Sequence, residues 1–90
     1  MGPFDAFNSL LKDAGVSVSE AAAIFRVSRP TIYHWCSGSP PTQKVLYGNA
    51  VRLITAMDAA VKDKSLPVVD VEKRMRVNTI AAVLRKYLNT

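Results

Sequence analysis

Apolar residues in this chain recur at intervals of three and four, and each such run is cut short by glycine, proline or a capping residue. Phe4, Phe7, Leu10, Leu11 and Ala14 keep this spacing up to Gly15, which is the period of one helix face. Gly15 is suited to a C-cap because it accepts a positive φ. Ser17 or Ser19 can then cap a second, alanine-rich segment through Glu20, Ala21, Ala22, Ala23, Ile24 and Phe25. Ser28 is the next capping residue, with Arg29 and Pro30 in the first turn, where the missing N–H of proline costs nothing. This third segment runs to about Cys36, and Gly38, Pro40 and Pro41 end it.

Thr42 opens a fourth segment in which Leu46, Ala50, Leu53, Ile54, Met57 and Val61 form an apolar stripe. Gly48 weakens that helix by about 1 kcal/mol relative to alanine, so a close backbone contact or an approaching ligand is expected there. Residues 62–67 read as a linker. Residues 68–71, Val-Val-Asp-Val, fit either a short strand or a helix start. From about Asp70 onward, Val77, Ile80, Ala81, Leu84, Tyr87 and Leu88 mark a final amphipathic helix, and Lys73, Arg74, Arg76, Arg85 and Lys86 mostly avoid its stripe. The pattern predicts an all-α fold, a compact four- to five-helix bundle. Residues 1–66 hold the first four segments and residues 67–90 the C-terminal amphipathic helix.

Ninety residues can enclose one modest core. The single cysteine, Cys36, excludes an internal disulfide and a cysteine-based zinc site. His34 and Cys36 lie two apart, so on a helix they face different ways, and no metal is expected there. One histidine, one cysteine and scattered carboxylates supply neither an activated nucleophile nor a convergent acid and base. With no glycine-rich phosphate loop and no paired-histidine motif, neither catalysis nor a cofactor is expected. The longest apolar runs fall far short of the about 20 residues that cross a bilayer. The first residues lack the basic region and apolar stretch of a secretion signal, and position 6 is Ala6 where myristoylation needs Ser or Thr. A cytoplasmic chain is therefore expected. Its net charge of +5 draws polyanions, which makes nucleic acid or a membrane surface a reasonable partner.

The second and third segments with their tight turn can cross steeply, so that the third projects outward. Ala22, Phe25, Val27, Ile32 and Trp35 form the apolar set that would lock the pair. Arg29, Thr31, Tyr33, His34 and Ser37 make the outer side polar. From Val16 to Gly38 the chain resembles the helix-turn-helix of the Cro and phage-repressor superfamily, also called Xre-like regulators. The resemblance rests on Ala22 in the first motif helix, Val27-Ser28-Arg29 across the turn, Ile32 and Trp35 as anchors, and Gly38 closing the recognition helix. The chain departs from that family at two positions. Arg26 occupies the left-handed turn position where the family usually has glycine, at a cost of about 1 kcal/mol. Val18 stands where the family tends to place a phosphate-anchoring glutamine, a role that Ser19 could partly fill.

The resemblance implies a sequence-specific DNA-binding regulator of phage or bacterial type, with double-stranded DNA as partner. Carried over by position, Arg29, Pro30 and His34 would meet base edges, and an arginine can donate two parallel bonds to guanine. Ser28, Thr31, Tyr33, Ser37 and Lys44 would meet phosphates, which set register. Arg29 and His34 can also be read as solvated surface residues, and Arg74 and Arg76 either as solvated or as reaching the DNA backbone. A homodimer would pair through Val77, Ile80, Leu84 and Leu88, unless that stripe closes the monomer's own core. Two other functions suit the same residues: a protein-binding module directed at a host factor, and an excisionase-like winged helix, which would need a hairpin after Gly38.

Overall fold

The computed structural model describes residues 2–88. Among them the chain forms five α-helices, α1 (Phe7–Ala14), α2 (Val18–Phe25), α3 (Arg29–Cys36), α4 (Lys44–Lys62) and α5 (Arg76–Leu88), with a 3-10 turn at Lys73–Met75 leading into α5. The fold is the all-α bundle that the apolar spacing predicts. No strand occurs among the described residues, so residues 68–71 are irregular and no hairpin follows Gly38. The winged-helix alternative loses its required element. Asp70 has a φ of 56° and Glu72 is extended, which delays α5 to Arg76.

Local chemistry sets each boundary. The Gly2 N–H donates to the Asp5 carboxylate at 2.7 Å and folds the N-terminus into a turn, so α1 begins at Phe7 and Phe4 precedes it. Ser17, not Ser19, caps α2: its Oγ accepts from the Glu20 N–H at 3.1 Å, and the Glu20 carboxylate accepts from the Ser17 N–H at 3.0 Å. This reciprocal pair satisfies two amides that the helix itself leaves open. Gln43 rather than Thr42 caps α4, its Oε1 accepting from the Leu46 N–H at 2.7 Å.

A single apolar core runs from Phe4 to Leu84 and draws on all five helices. Four aromatic rings form its centre, Phe7 meeting Phe25 edge-on at 5.6 Å and Trp35 standing against both. Such tilted pairs are favoured by the ring quadrupoles beyond simple burial. The expected division at residue 66 falls inside this core. Leu66, in the supposed linker, is buried together with Ile80 and Leu84.

The stripe predicted as a pairing surface serves the monomer at two of its four positions. Ile80 is 0% and Leu84 1% exposed, enclosed where α5 lies on α4 and α2, and neither offers area to a second copy. Val77 and Leu88 are half-buried. A chain of this size needs its last helix to complete its own core. Arg76 is likewise an internal tie. Its Nε donates to Glu20 Oε2 at 2.7 Å, and a terminal guanidinium nitrogen donates to the Gly15 carbonyl at 2.6 Å. Arg74 pairs with Glu72 on the surface. At Gly48 an added Cβ would meet nothing within 4 Å, so no close contact inside the chain requires glycine there.

Candidate nucleic-acid interface

The turn before α3 is shaped by backbone bonds. Arg26 adopts the left-handed conformation (φ 58°), and the Val27 N–H reaches back to the Ala22 carbonyl at 3.0 Å. The Arg26 N–H donates to the same carbonyl, so two bonds close the end of α2 on Ala22. Ser28 then takes an extended conformation and caps α3, its Oγ accepting from the Thr31 N–H at 3.3 Å and lying 2.9 Å from the Thr31 hydroxyl. Both hydroxyls therefore act first in holding the start of the helix.

One side of α3 is fixed in the core. Ile32 is fully buried, and the Trp35 ring meets Phe4 at 5.4 Å, Phe25 at 5.6 Å and Phe7 at 5.9 Å. Anchored from beneath by three rings, α3 turns Arg29, Pro30, Tyr33, His34 and Ser37 to solvent. Their spacing of one, three, one and three residues is a single stripe on a helix. Tyr33 is 62% exposed, so its ring contributes little to the fold. Lys44 is exposed at the first position of α4. Thr31 is half-buried behind the stripe. Ser37 closes the helix, donating its hydroxyl to the His34 carbonyl at 2.8 Å.

Charge at the two helix starts runs against ordinary stability. Neither α3 nor α4 has an acidic residue in its first turn, and each begins on a cation, Arg29 and Lys44. A positive charge at a helix N-terminus opposes the helix dipole by about 0.3–1 kcal/mol. The caps already take part of each first turn, the Thr31 N–H bonding to Ser28, the Leu46 N–H bonding to Gln43 and Pro30 having no N–H. It is therefore the cations Arg29 and Lys44 that suit an anion supplied from outside, as phosphate oxygens are. The sequence extends this pattern: no carboxylate occurs between Glu20 and Asp58, while Arg26, Arg29, Lys44 and Arg52 all do.

Val45 and Tyr47 are surface residues that pattern reading passes over, because both lie off the Leu46–Ala50 stripe. Val45 is 66% exposed, and Tyr47 sits 5.5 Å from the Phe4 ring, which in turn stands on Trp35 beneath α3. Apolar residues at alternate positions outside a helix's buried stripe were the available signal. Val18 opens α2 and packs against the core, so the phosphate clamp of the resembled family has no polar group there, and Ser19 is exposed beside it. Among the described residues, no three His, Cys, Asp or Glu side chains gather where they could hold a metal ion. No helix among them is long and apolar enough to cross a membrane.

Residues 9–38 match a family model described as a helix-turn-helix domain. The matched segment begins within α1, spans α2, the left-handed turn and α3, and ends on Gly38. Searches of curated proteins and of solved structures found no match.

Proposed function

We propose that this chain is a sequence-specific DNA-binding transcriptional regulator that inserts α3 into the major groove, as Cro and the phage repressors do. One observation carries the reading: α3 gives one side to the core and leaves Arg29, Pro30, Tyr33, His34 and Ser37 as a continuous exposed stripe without a carboxylate. The match of residues 9–38 to a helix-turn-helix domain supports it. Arg29 is the base reader, at the end of α3 that enters first, and its guanidinium offers two parallel donors to guanine O6 and N7. Pro30 touches a thymine methyl, and His34, one turn on, donates to a base or phosphate. Lys44, Tyr33, Ser37, Ser28 and Thr31 lie against phosphates and fix register. Two copies occupy half-sites about 10 base pairs apart on a palindrome, meeting through surface other than the enclosed Ile80 and Leu84.

Selection of bound sequences from random duplex DNA, run beside Arg29→Ala, tests this. The wild type enriches a dyad motif, and the variant loses a guanine preference worth about 1–3 kcal/mol while its melting temperature does not fall, since the removed cation opposes the helix dipole. Affinity falls steeply as salt rises, in proportion to the phosphates contacted. An absence of enrichment by the wild type defeats the reading.

A further inference from the structure

A second surface lies away from the α3 stripe. Three cavities of ≈ 390, 380 and 350 Å³ adjoin one another between the end of α2, the length of α4 and the end of α5. The first two share Ile24, Arg26, Leu53 and Leu88, and the first and third share Arg52 and Leu88. The first two form one furrow, and the third opens beside it across Arg52 and Leu88. Beside α4 the furrow runs from Leu46 to Leu53, which at 1.5 Å per residue is about 10 Å, or about two turns of a helix laid along it. Its floor is apolar, with Ile24, Leu46, Leu53 and Leu88 all only half-buried by the chain's own fold.

The rim gives the furrow a sign. Arg26, Arg52 and Arg85 stand along it, all exposed, and no aspartate or glutamate lines any part of it. Among the described residues the ion pairs are Lys62–Asp58, Arg74–Glu72 and Arg76–Glu20, so none of the three rim arginines has a carboxylate partner. An apolar trough edged by unpaired guanidinium groups complements a helix with an apolar face and acidic flanks. Arginine suits this role because its planar donors match carboxylates two at a time. A second copy of the chain is a poor match. It carries a net charge of +5 and would set like charges together across the furrow. Duplex DNA would leave the apolar floor unfilled. α3 contributes only Trp35 to the lining, from its inner side, so the furrow and the α3 stripe can be occupied at once.

We propose that this furrow receives an acidic amphipathic helix from a partner protein, apolar residues at three- and four-residue spacing lying on Leu53 and Leu88 and acidic flanks pairing with Arg26, Arg52 and Arg85. This is helix-in-groove recognition, and it stands whether or not α3 binds DNA. The test is selection of helix-forming peptides from a display library against the full chain, followed by titration of a labelled synthetic peptide of the enriched sequence. Enriched peptides carry the apolar spacing with glutamate or aspartate on both flanks. Their affinity falls about tenfold or more in an Arg52→Glu, Arg85→Glu double variant, whose changes are on exposed side chains. It is unchanged in Arg29→Ala. Absence of enrichment, enrichment without acidic flanks, or binding that survives the double variant overturns the proposal. So does sedimentation of the wild type as a dimer that the double variant dissociates, since a second copy would then fill the furrow.

Discussion

The two junctions that flank α2 have nearly the same backbone and opposite surroundings. Gly15 and Arg26 both take the left-handed conformation (φ 65° and 58°), and in each case the following residue, Val16 or Val27, bonds back into the helix just ended, at 2.9 and 3.0 Å. Groups far along the chain fasten the first junction. Pro67 lies on Gly15, and Arg76 bonds to the Gly15 carbonyl and to Glu20. Among the described residues no long-range hydrogen bond or ion pair holds the second, where Arg26 is exposed. The capping bonds therefore set the handedness of both turns, and what else comes near decides which residue each turn can accept. Glycine is required at 15 by lack of space as much as by φ.

The largest expected effect is at that crowded junction. A Cβ on residue 15 would stand 2.6 Å from the Pro67 Cβ, closer than carbon atoms approach without displacement. Gly15→Ala combines this overpacking with the left-handed penalty and should destabilise the fold by about 3 kcal/mol in urea denaturation. A loss below about 1 kcal/mol would mean that the 67 loop yields freely and the junction is not fastened as described.

A smaller effect separates the junctions by pH. Burial pushes the Glu20 carboxyl up, but the hydrogen bond and charge of Arg76, with the Ser17 bonds, outweigh it and hold the group below its ordinary value. A carboxyl lowered on folding stabilises the native state fully above the unfolded value of about 4.3 and loses that contribution as pH falls through the folded value. Glu20→Gln should therefore lower the thermal midpoint at pH 7 and flatten its decline on acidification below about pH 4.3. An unaltered decline would assign the acid sensitivity to other carboxylates. Among the described residues the α2–α3 junction has no such ion pair, and Arg29→Ala beside it should leave the steepness of the acid decline unchanged.

What the sequence reveals and conceals divides along the same line. The Ser28 cap, the Arg26 turn and the Ile32–Trp35 anchor are local patterns, legible because bonds spanning three to five residues produce them. The exposed stripe of α3 follows by subtraction in most of its positions, but the outer side read from the sequence included Thr31, which is half-buried behind 29, 30, 33, 34 and 37 because its side chain turns back to the Ser28 cap. The first junction is not legible in this way. Its fastenings come from Pro67 and Arg76, 52 and 61 positions from Gly15, and no periodicity reports such a distance. The α5 stripe shows the same limit: spacing says which face is apolar, not whether the chain or a partner covers it. Residues 62–67 read as a linker because a buried Leu66 has no repeat to announce it. At Gly48 the sequence suggests a crowded backbone, and the fold leaves that side of α4 open.

The smallest expected effect sharpens the contrast. At Arg26 the left-handed backbone costs an L-residue about 1–2 kcal/mol, and glycine removes that cost while adding about 0.5–1 kcal/mol of chain entropy lost on folding. Arg26→Gly should thus raise stability by about 0.5–1 kcal/mol, a smaller preference for glycine than at Gly15, where Pro67 crowds an added Cβ at nearly the same φ. Arg26→Ala keeps the Cβ and removes only the charge, so it should leave stability near the wild type. The two variants together separate backbone from charge. If Ala stabilised as much as Gly, repulsion among the rim arginines rather than the turn would be the source of the gain. If neither did, the strain at Arg26 would already be relieved by the Val27 to Ala22 bond, and the two junctions would differ only in their long-range fastenings.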